Sequence, residues 1–216
     1  MMLRIDEIAE VFDDMTPIPQ PDADQKPICG IMYPTSFVIA FDYMRACWKA
    51  NETSERALRL TATCLKLNPA NYTVWQFRRR CLRALGLTTD QTAVTADLTL
   101  TSQLGGSNPK NYQIWYHRRV LLEDYNQSSP NPTEDKLLQN NFLQSELDYL
   151  ADVLGQDSKN YHAWSNRQWL LKTVNDPVTW DAELEYGKSI ISFVEEPNEN
   201  IVCVWMDGIV SVRFDA

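Results

Sequence analysis

The sequence predicts an all-α fold, a solenoid of helical hairpins, and three observations carry that expectation. A twelve-residue phrase occurs three times: Asn68-Pro69-Ala70-Asn71-Tyr72-Thr73-Val74-Trp75-Gln76-Phe77-Arg78-Arg79, Asn108-Pro109-Lys110-Asn111-Tyr112-Gln113-Ile114-Trp115-Tyr116-His117-Arg118-Arg119, and Asp157-Ser158-Lys159-Asn160-Tyr161-His162-Ala163-Trp164-Ser165-Asn166-Arg167-Gln168. Asn, Tyr, Trp and Arg recur in register, with a Leu seven residues past each Trp. The copies lie 40 residues apart from Asn71 to Asn111 and 49 from Asn111 to Asn160, within the range of stacked helix pairs. In each copy the apolar pairs sit seven apart, two turns along one helix face: Trp75 with Leu82, Trp115 with Leu122, Trp164 with Leu171, and beside them Val74 with Cys81, Ile114 with Leu121, Ala163 with Leu170. A hairpin with such a stripe buries it only against its neighbours.

Taken in order, residues 1–32 read as an extended or disordered lead-in, because Thr16-Pro17-Ile18-Pro19-Gln20-Pro21 and Lys26-Pro27 deny regular hydrogen bonding. From Tyr33 the pattern turns helical, with Phe37, Phe41, Met44 and Trp48 on one face. Thr53-Ser54-Glu55-Arg56 opens the next helix with a hydroxyl cap and an acid in the first turn. Ala57, Leu60, Cys64 and Leu67 form its buried stripe, and Asn68-Pro69 stops it. The repeated Asn then reads as the cap of the following helix, accepting from free N–H groups of its first turn. The Arg three residues after each Trp is placed to reach a carboxylate or carbonyl of an adjacent helix. Thr89 to Leu104 leads into the second copy with weak periodicity, ending at Gly105-Gly106. Asn126 to Pro132 reads as a polar surface loop, and Leu143, Leu147, Leu150 and Leu154 as an amphipathic helix leading into the third copy. Trp180, Glu183, Leu184, Tyr186, Ile190 and Ile191 fit the first helix of a fourth unit. Beyond it, residues 194–216 lack the Trp-to-Arg spacing and read as a divergent tail, a truncated or misjoined end.

Composition narrows the function classes. A formal charge of −9 argues against a nucleic-acid binder. The local exception, Arg78-Arg79-Arg80 with Arg83, reads as a solvated helix face paired with neighbouring acids in preference to a phosphate track. Five scattered cysteines without a C-x-x-C pair read as reduced thiols of a cytoplasmic protein. Only two histidines, His117 and His162, are present, so a zinc site made by this chain alone is not expected. No run of about 18 apolar residues suggests membrane insertion.

Residues shared by every copy belong first to the repeat, so function is expected where the copies differ. Lys110 and Lys159 stand beside helix N-termini, where an ammonium and unsatisfied N–H groups make an anion site. With hairpins stacked in parallel, these lysines, the tyrosines, Gln113 and His162 would line one polar rim. The other reading, turns that favour lysine because they face solvent, stays open.

The strings K-N-Y-Q-I-W-Y-H-R-R at 110–119 and K-N-Y-H-A-W-S-N-R-Q at 159–168, with the earlier N-Y-x-x-W-x-x-R at 71–78, resemble the shared α subunit of protein farnesyltransferase and type I protein geranylgeranyltransferase. The likeness covers roughly residues 33–191 and includes Thr16-Pro17-Ile18-Pro19 and Asp42-Tyr43-Met44-Arg45-Ala46; generic tetratricopeptide arrays lack this Tyr-Trp-Arg register. The resemblance implies a right-handed α-α superhelix of hairpins over 33–193, wrapped around an α-α barrel β subunit as a heterodimer. That enzyme moves farnesyl or geranylgeranyl from its diphosphate to the CaaX cysteine of a substrate protein. Zn2+ is bound by the β subunit and Mg2+ accompanies the diphosphate. By motif position, Lys110 would contact the diphosphate and stabilise charge on the leaving group. Tyr161 and His162 would sit near that diphosphate, with Tyr112 and Asn160 lining the rim. Gln113 would bond the peptide carboxylate, and Tyr72 would wall that end of the cleft. A noncatalytic α-solenoid protein-binding module and a Rab-type prenyltransferase α subunit, a poorer match to K-N-Y-Q and K-N-Y-H, remain as alternatives.

Overall fold

A computed structural model describes residues 2–20, 30–106, 108–128, 136–139 and 141–193. Among them the regular structure is entirely helical, and it falls into two compact units, Met1–Ser128 and Ser129–Ala216. The first unit holds α1 (Ile8–Val11), α2 (Thr35–Ala50), α3 (Glu55–Leu67), α4 (Tyr72–Ala84), α5 (Gln91–Gly105) and α6 (Tyr112–Gln127). The second holds α7 (Lys136–Gln139), α8 (Phe142–Gln156), α9 (Tyr161–Val174) and α10 (Pro177–Phe193). The hairpins expected from the repeat are α3 with α4, α5 with α6, and α8 with α9.

Local chemistry accounts for the helix limits. Ser54 caps α3, its Oγ accepting from the Ala57 N–H at 3.2 Å, and Asp90 caps α5 by accepting from Ala93 at 2.7 Å. Helix α3 stops at Leu67, before Asn68-Pro69. Gly86 follows α4 at φ 70°, a left-handed turn that glycine takes without strain. Helices α2 and α9 close on Asn51 and Asn175, also left-handed. The core of the first unit gathers Phe41, Met44, Leu60, Cys64, Val74, Trp75, Phe77 and Cys81, so the predicted stripes do meet. Leu67, expected on the α3 stripe, is instead 37% exposed at the helix end. Gln91–Gly105 forms a full helix despite its weak periodicity, with Val94, Leu98 and Leu104 inward.

The expectation of an extended lead-in over 1–32 needs correction for its first part. Residues Ile5–Glu7 make a 3-10 turn that runs into α1, and Leu3, Ile8 and Phe12 are buried in the core. Thr63 Oγ1 donates to the Leu3 carbonyl at 2.7 Å, and Arg56 grips Asp14 at 2.6 and 2.9 Å. The prolines begin only at Pro17; before them Leu3, Ile5, Ile8, Val11 and Phe12 carry a helical apolar pattern. Even the Pro-rich stretch is held, because Ile18 N–H donates to the Asp42 carbonyl and Arg45 donates to the Ile18 carbonyl. Residues 21–29 and the predicted tail 194–216 lie outside the described residues, as do 129–132 of the predicted loop, whose first two residues, Asn126 and Gln127, instead complete α6.

Candidate functional site

Each hairpin break is built by its own repeat residues. Asn71 Oδ1 accepts from the Val74 N–H at 3.1 Å, Asn111 from Gln113 at 2.9 Å, and Asn160 from His162 and Ala163 at 3.1 and 3.3 Å. The repeated Asn is therefore the cap that its position predicts. The repeated Trp does more than fill the core. Its indole N–H donates back into the break, from Trp75 to the Pro69 carbonyl at 2.8 Å, Trp115 to Pro109 at 2.7 Å and Trp164 to Ser158 at 2.8 Å. Buried indole plus satisfied N–H explains why no other aromatic residue replaces it. The first two breaks are also joined, since Asn111 Nδ2 donates to the same Pro69 carbonyl at 2.8 Å. That bond sets the starts of α4 and α6 side by side.

The repeated Arg anchors each hairpin from within. Arg78, Arg118 and Arg167 each give an Nη1 proton to a carbonyl twenty residues earlier, at Leu58, Leu98 and Leu147. Arg78 also donates Nε to Asp97 at 2.8 Å, and Arg167 pairs through Nη2 with Glu183 at 2.7 Å. Sequence reasoning missed these acids. For Asp97 a signal was available, since it lies 14 residues before Asn111 and the buried Glu146 stands at the same offset before Asn160; Glu183 carries no such marker. Asp97 serves a second partner, His117, whose Nε2 lies 2.9 Å from Oδ2. Burial alone would raise the Asp97 carboxyl, but Arg78 and His117 outweigh it and hold the group well below the usual carboxylate range. Burial pushes His117 down, so the ring is neutral at pH 7; facing an ionised carboxylate, Nε2 carries the proton and donates. Its Nδ1 is buried without a partner, and the ring lies 4.6 Å from that of Trp75.

Four predicted site residues fall in the first unit. Tyr72 and Tyr112 open α4 and α6 with 70% and 65% exposure, Lys110 is exposed just before the Asn111 cap, and Gln113 is half-buried in the first turn of α6. These are brought together at the two joined breaks. The other three belong to the second unit. Tyr161 opens α9 at 52% exposure, with its ring 3.9 Å from that of His162. Asn160 and His162 are buried, at 1% and 6% exposure, so in this chain they support the break and Tyr161 presents to solvent. The arrangement offers an ammonium, phenol hydroxyls and an amide at helix N-termini, groups suited to phosphate and carboxylate oxygens.

A cavity of about 330 Å3 lies elsewhere in the first unit, among Leu58, Arg59, Ala62, Leu82 and Leu100, and none of the predicted site residues lines it. Among the described residues, no cluster of three or more His, Cys, Asp and Glu has metal-site geometry, and no helix is long and apolar enough to cross a membrane. The basic knot departs from its expected pairing: among the described residues only Arg83 finds a surface acid, Asp124 at 2.7 Å, while Arg78 is buried on Asp97.

The model of the protein prenyltransferase alpha subunit repeat matches residues 54–85, 94–125 and 143–174, one match for each of the three hairpins. The three matches together cover 96 of the chain's 216 residues, and each falls on one hairpin. Among similar proteins, the tomato (Solanum lycopersicum) protein farnesyltransferase/geranylgeranyltransferase type-1 subunit alpha is 50% identical over 74 residues, 34% of this chain and 21% of that protein. The Schizosaccharomyces pombe subunit of the same name is 40% identical over 81 residues, 35% of this chain and 27% of its own length. The matched stretch thus spans only about a fifth to a quarter of these relatives. In structure the chain is similar to a chain of Candida albicans protein geranylgeranyltransferase-I complexed with GGPP, with a TM-score of 0.52 and 26% identity over 94% of this chain and 75% of that one. The three hairpins of this chain are thus the segments that match the repeat.

Proposed function

We propose that this chain acts as the α subunit of a heterodimeric protein prenyltransferase of the farnesyl and type I geranylgeranyl kind, transferring the isoprenoid from its diphosphate to a C-terminal CaaX cysteine. The observation that carries this reading is Lys110, exposed beside the capped N-terminus of α6, in a chain whose repeats match those of subunits bearing that name. Lys110 contacts the diphosphate and stabilises charge as the leaving group departs, in a place where the helix dipole also favours an anion. Gln113 and Tyr72 meet the carboxylate end of the peptide and Tyr112 lines the rim beside Lys110; in the second unit Tyr161 is the exposed candidate for the diphosphate, with Asn160 and His162 buried at its break. Zinc belongs to the β subunit and magnesium to the diphosphate in this reading, and no described residue here is assigned to either. The site works in the cytoplasm, on a bound β subunit, with farnesyl or geranylgeranyl diphosphate and CaaX proteins as substrates.

Co-expression with a type I geranylgeranyltransferase or farnesyltransferase β subunit tests the reading. A copurifying heterodimer that forms a thioether product supports it, and absence of any complex overturns it. Within an active heterodimer, Lys110→Ala lowers kcat about ten-fold or more while peptide KM changes little, as expected for loss of one charged contact to the leaving group. Unchanged turnover would remove Lys110 from the chemistry.

A further inference from the structure

The three copies of the repeat differ at the sixth position after the capping Asn: Phe77 follows Asn71, His117 follows Asn111 and Asn166 follows Asn160. Phe77 is buried with its ring at 63° to that of Trp48, and Asn166 turns back to the His162 carbonyl of its own helix at 2.9 Å. His117 does neither. It is fully buried, and its Nε2 gives a proton to Oδ2 of Asp97 on α5 at 2.9 Å, while the other oxygen of that carboxylate takes Arg78 of α4. One buried carboxylate therefore ties together α4, α5 and α6, and with them the first two hairpins. The copy that carries this histidine is also the copy that carries Lys110, Tyr112 and Gln113.

Helix α6 is thus pinned to the first hairpin at two places. At the break, Asn111 Nδ2 donates to the Pro69 carbonyl. About 9 Å further along the axis, at 1.5 Å per residue, His117 meets that hairpin through the Asp97–Arg78 pair and through the Trp75 ring, 4.6 Å away. Trp75 gives its indole N–H to the same Pro69 carbonyl, so both pins end on one structure. Apolar packing along the stripe is non-directional and tolerates small tilts of a helix, whereas a hydrogen bond fixes both distance and angle. The second pin removes the tilt that a single hinge at the break leaves free. The first turn of α6, with Gln113 in it and Lys110 just before it, then keeps one place beside Tyr72.

We propose that His117 is a positioning residue: its hydrogen bond to Asp97 sets the direction of α6 against α4, and so the place of Lys110 relative to Tyr72 and the isoprenoid diphosphate. The proposal rests on the prenyltransferase α-subunit reading, and deepens it by naming a buried group, itself closed off from substrate, on which the placement of Lys110 depends.

The test is a double-mutant comparison of kcat in the purified heterodimer with the β subunit, at saturating substrate and well below the thermal midpoint of every variant. His117→Phe puts the residue of the first copy into the second, keeping a ring against Trp75 and removing the donor to Asp97. It is expected to lower kcat about three-fold or more, since a displaced charged group loses part of what its deletion loses. His117→Gln, which keeps an amide N–H for Asp97, is expected to recover most of that rate. In the Lys110→Ala background, His117→Phe is expected to change kcat less than about two-fold, because no ammonium remains to be misplaced. A merely structural histidine would lower the thermal midpoint without this dependence on Lys110. Should His117→Phe not fold, His117→Asn, the residue of the third copy with a shorter reach, takes its place. Wild-type kcat in the folded heterodimer overturns the proposal and leaves the α-subunit reading standing. The same holds for equal fold losses with and without Lys110, and for a Gln variant as slow as the Phe variant. Failure of the wild-type chain to form a heterodimer, or wild-type turnover in Lys110→Ala, overturns both the proposal and the reading of the site on which it rests.

Discussion

At the scale of single residues, His117 shows how far position in the fold decides chemistry. Taken from the sequence, it is one of two histidines in a motif suspected of binding anions. In the fold it is fully buried, paired with Asp97 and stacked near Trp75, and burial depresses its protonation below the ordinary value of 6.5. The linkage sign follows directly. The unfolded chain takes up this proton near 6.5 and the folded chain only at lower pH, so the stabilisation is whole above about 6.5 and is lost as pH falls toward the folded value. Asp97, held below its ordinary 3.8, adds a second loss of the same sign further into acid. Urea midpoints measured from pH 7.5 to 5 are expected to fall for the wild type and to fall less for His117→Gln. Equal slopes would mean that His117 is not kept neutral by burial. The buried thiols obey the same physics: burial pushes Cys47 up to about 12 and Cys81 up to about 11, which leaves both as packing groups at neutral pH.

Among elements, the connection between hairpins rests on the breaks more than on the helices they join. Asn71 and Asn111 look equivalent in sequence, and each caps its helix. Asn111 alone of the two also donates to the preceding break, at the Pro69 carbonyl that already receives Trp75. Asn71→Ala is expected to cost about 1 kcal/mol, the usual loss of a cap. Asn111→Ala is expected to cost about 1 kcal/mol more, the extra hydrogen bond, since it leaves a shared acceptor with one donor. Denaturant unfolding of both variants makes the comparison, and equal losses would show that the link between breaks contributes nothing. The repeat text announced both caps, because an Asn before a helical stripe has one common use. The link was not legible, because it depends on the stacking of two hairpins whose breaks stand 40 residues apart.

Over the whole molecule, the first unit closes its core with a segment remote in sequence from the repeats. Leu3, Ile8 and Phe12 pack among residues of α2, α3 and α4, and Arg56 ties the same segment down through Asp14 and the Val11 carbonyl. Ile8→Ala and Phe12→Ala are each expected to destabilise the unit by about 2–5 kcal/mol, the range for deleting a fully buried large side chain. Thermal and urea unfolding check this, and wild-type stability in both variants would mean that the segment does not share the core. The 3-10 turn and α1 thus cover the core of the first unit on the side of α2.

The sequence by itself determined the helical hairpins, their caps and the family resemblance, because each rests on local rules: a period of 3.6, an Asn before a stripe, a proline after one. It also marked Tyr72, Lys110, Tyr112, Gln113, Asn160, Tyr161 and His162 as site positions at the breaks, of which Tyr72, Lys110, Tyr112 and Tyr161 are exposed in the fold. Only the tertiary structure decided that Asn160 and His162 are buried, that Asp97 joins Arg78 to His117, and that Arg79 and Arg80 lack the acids assumed for them. The physical reason is common to all three. Burial and ion pairing depend on which helix faces which, and a charge run spells the same whether its neighbours across space are carboxylates, aromatic rings or the surface of another chain.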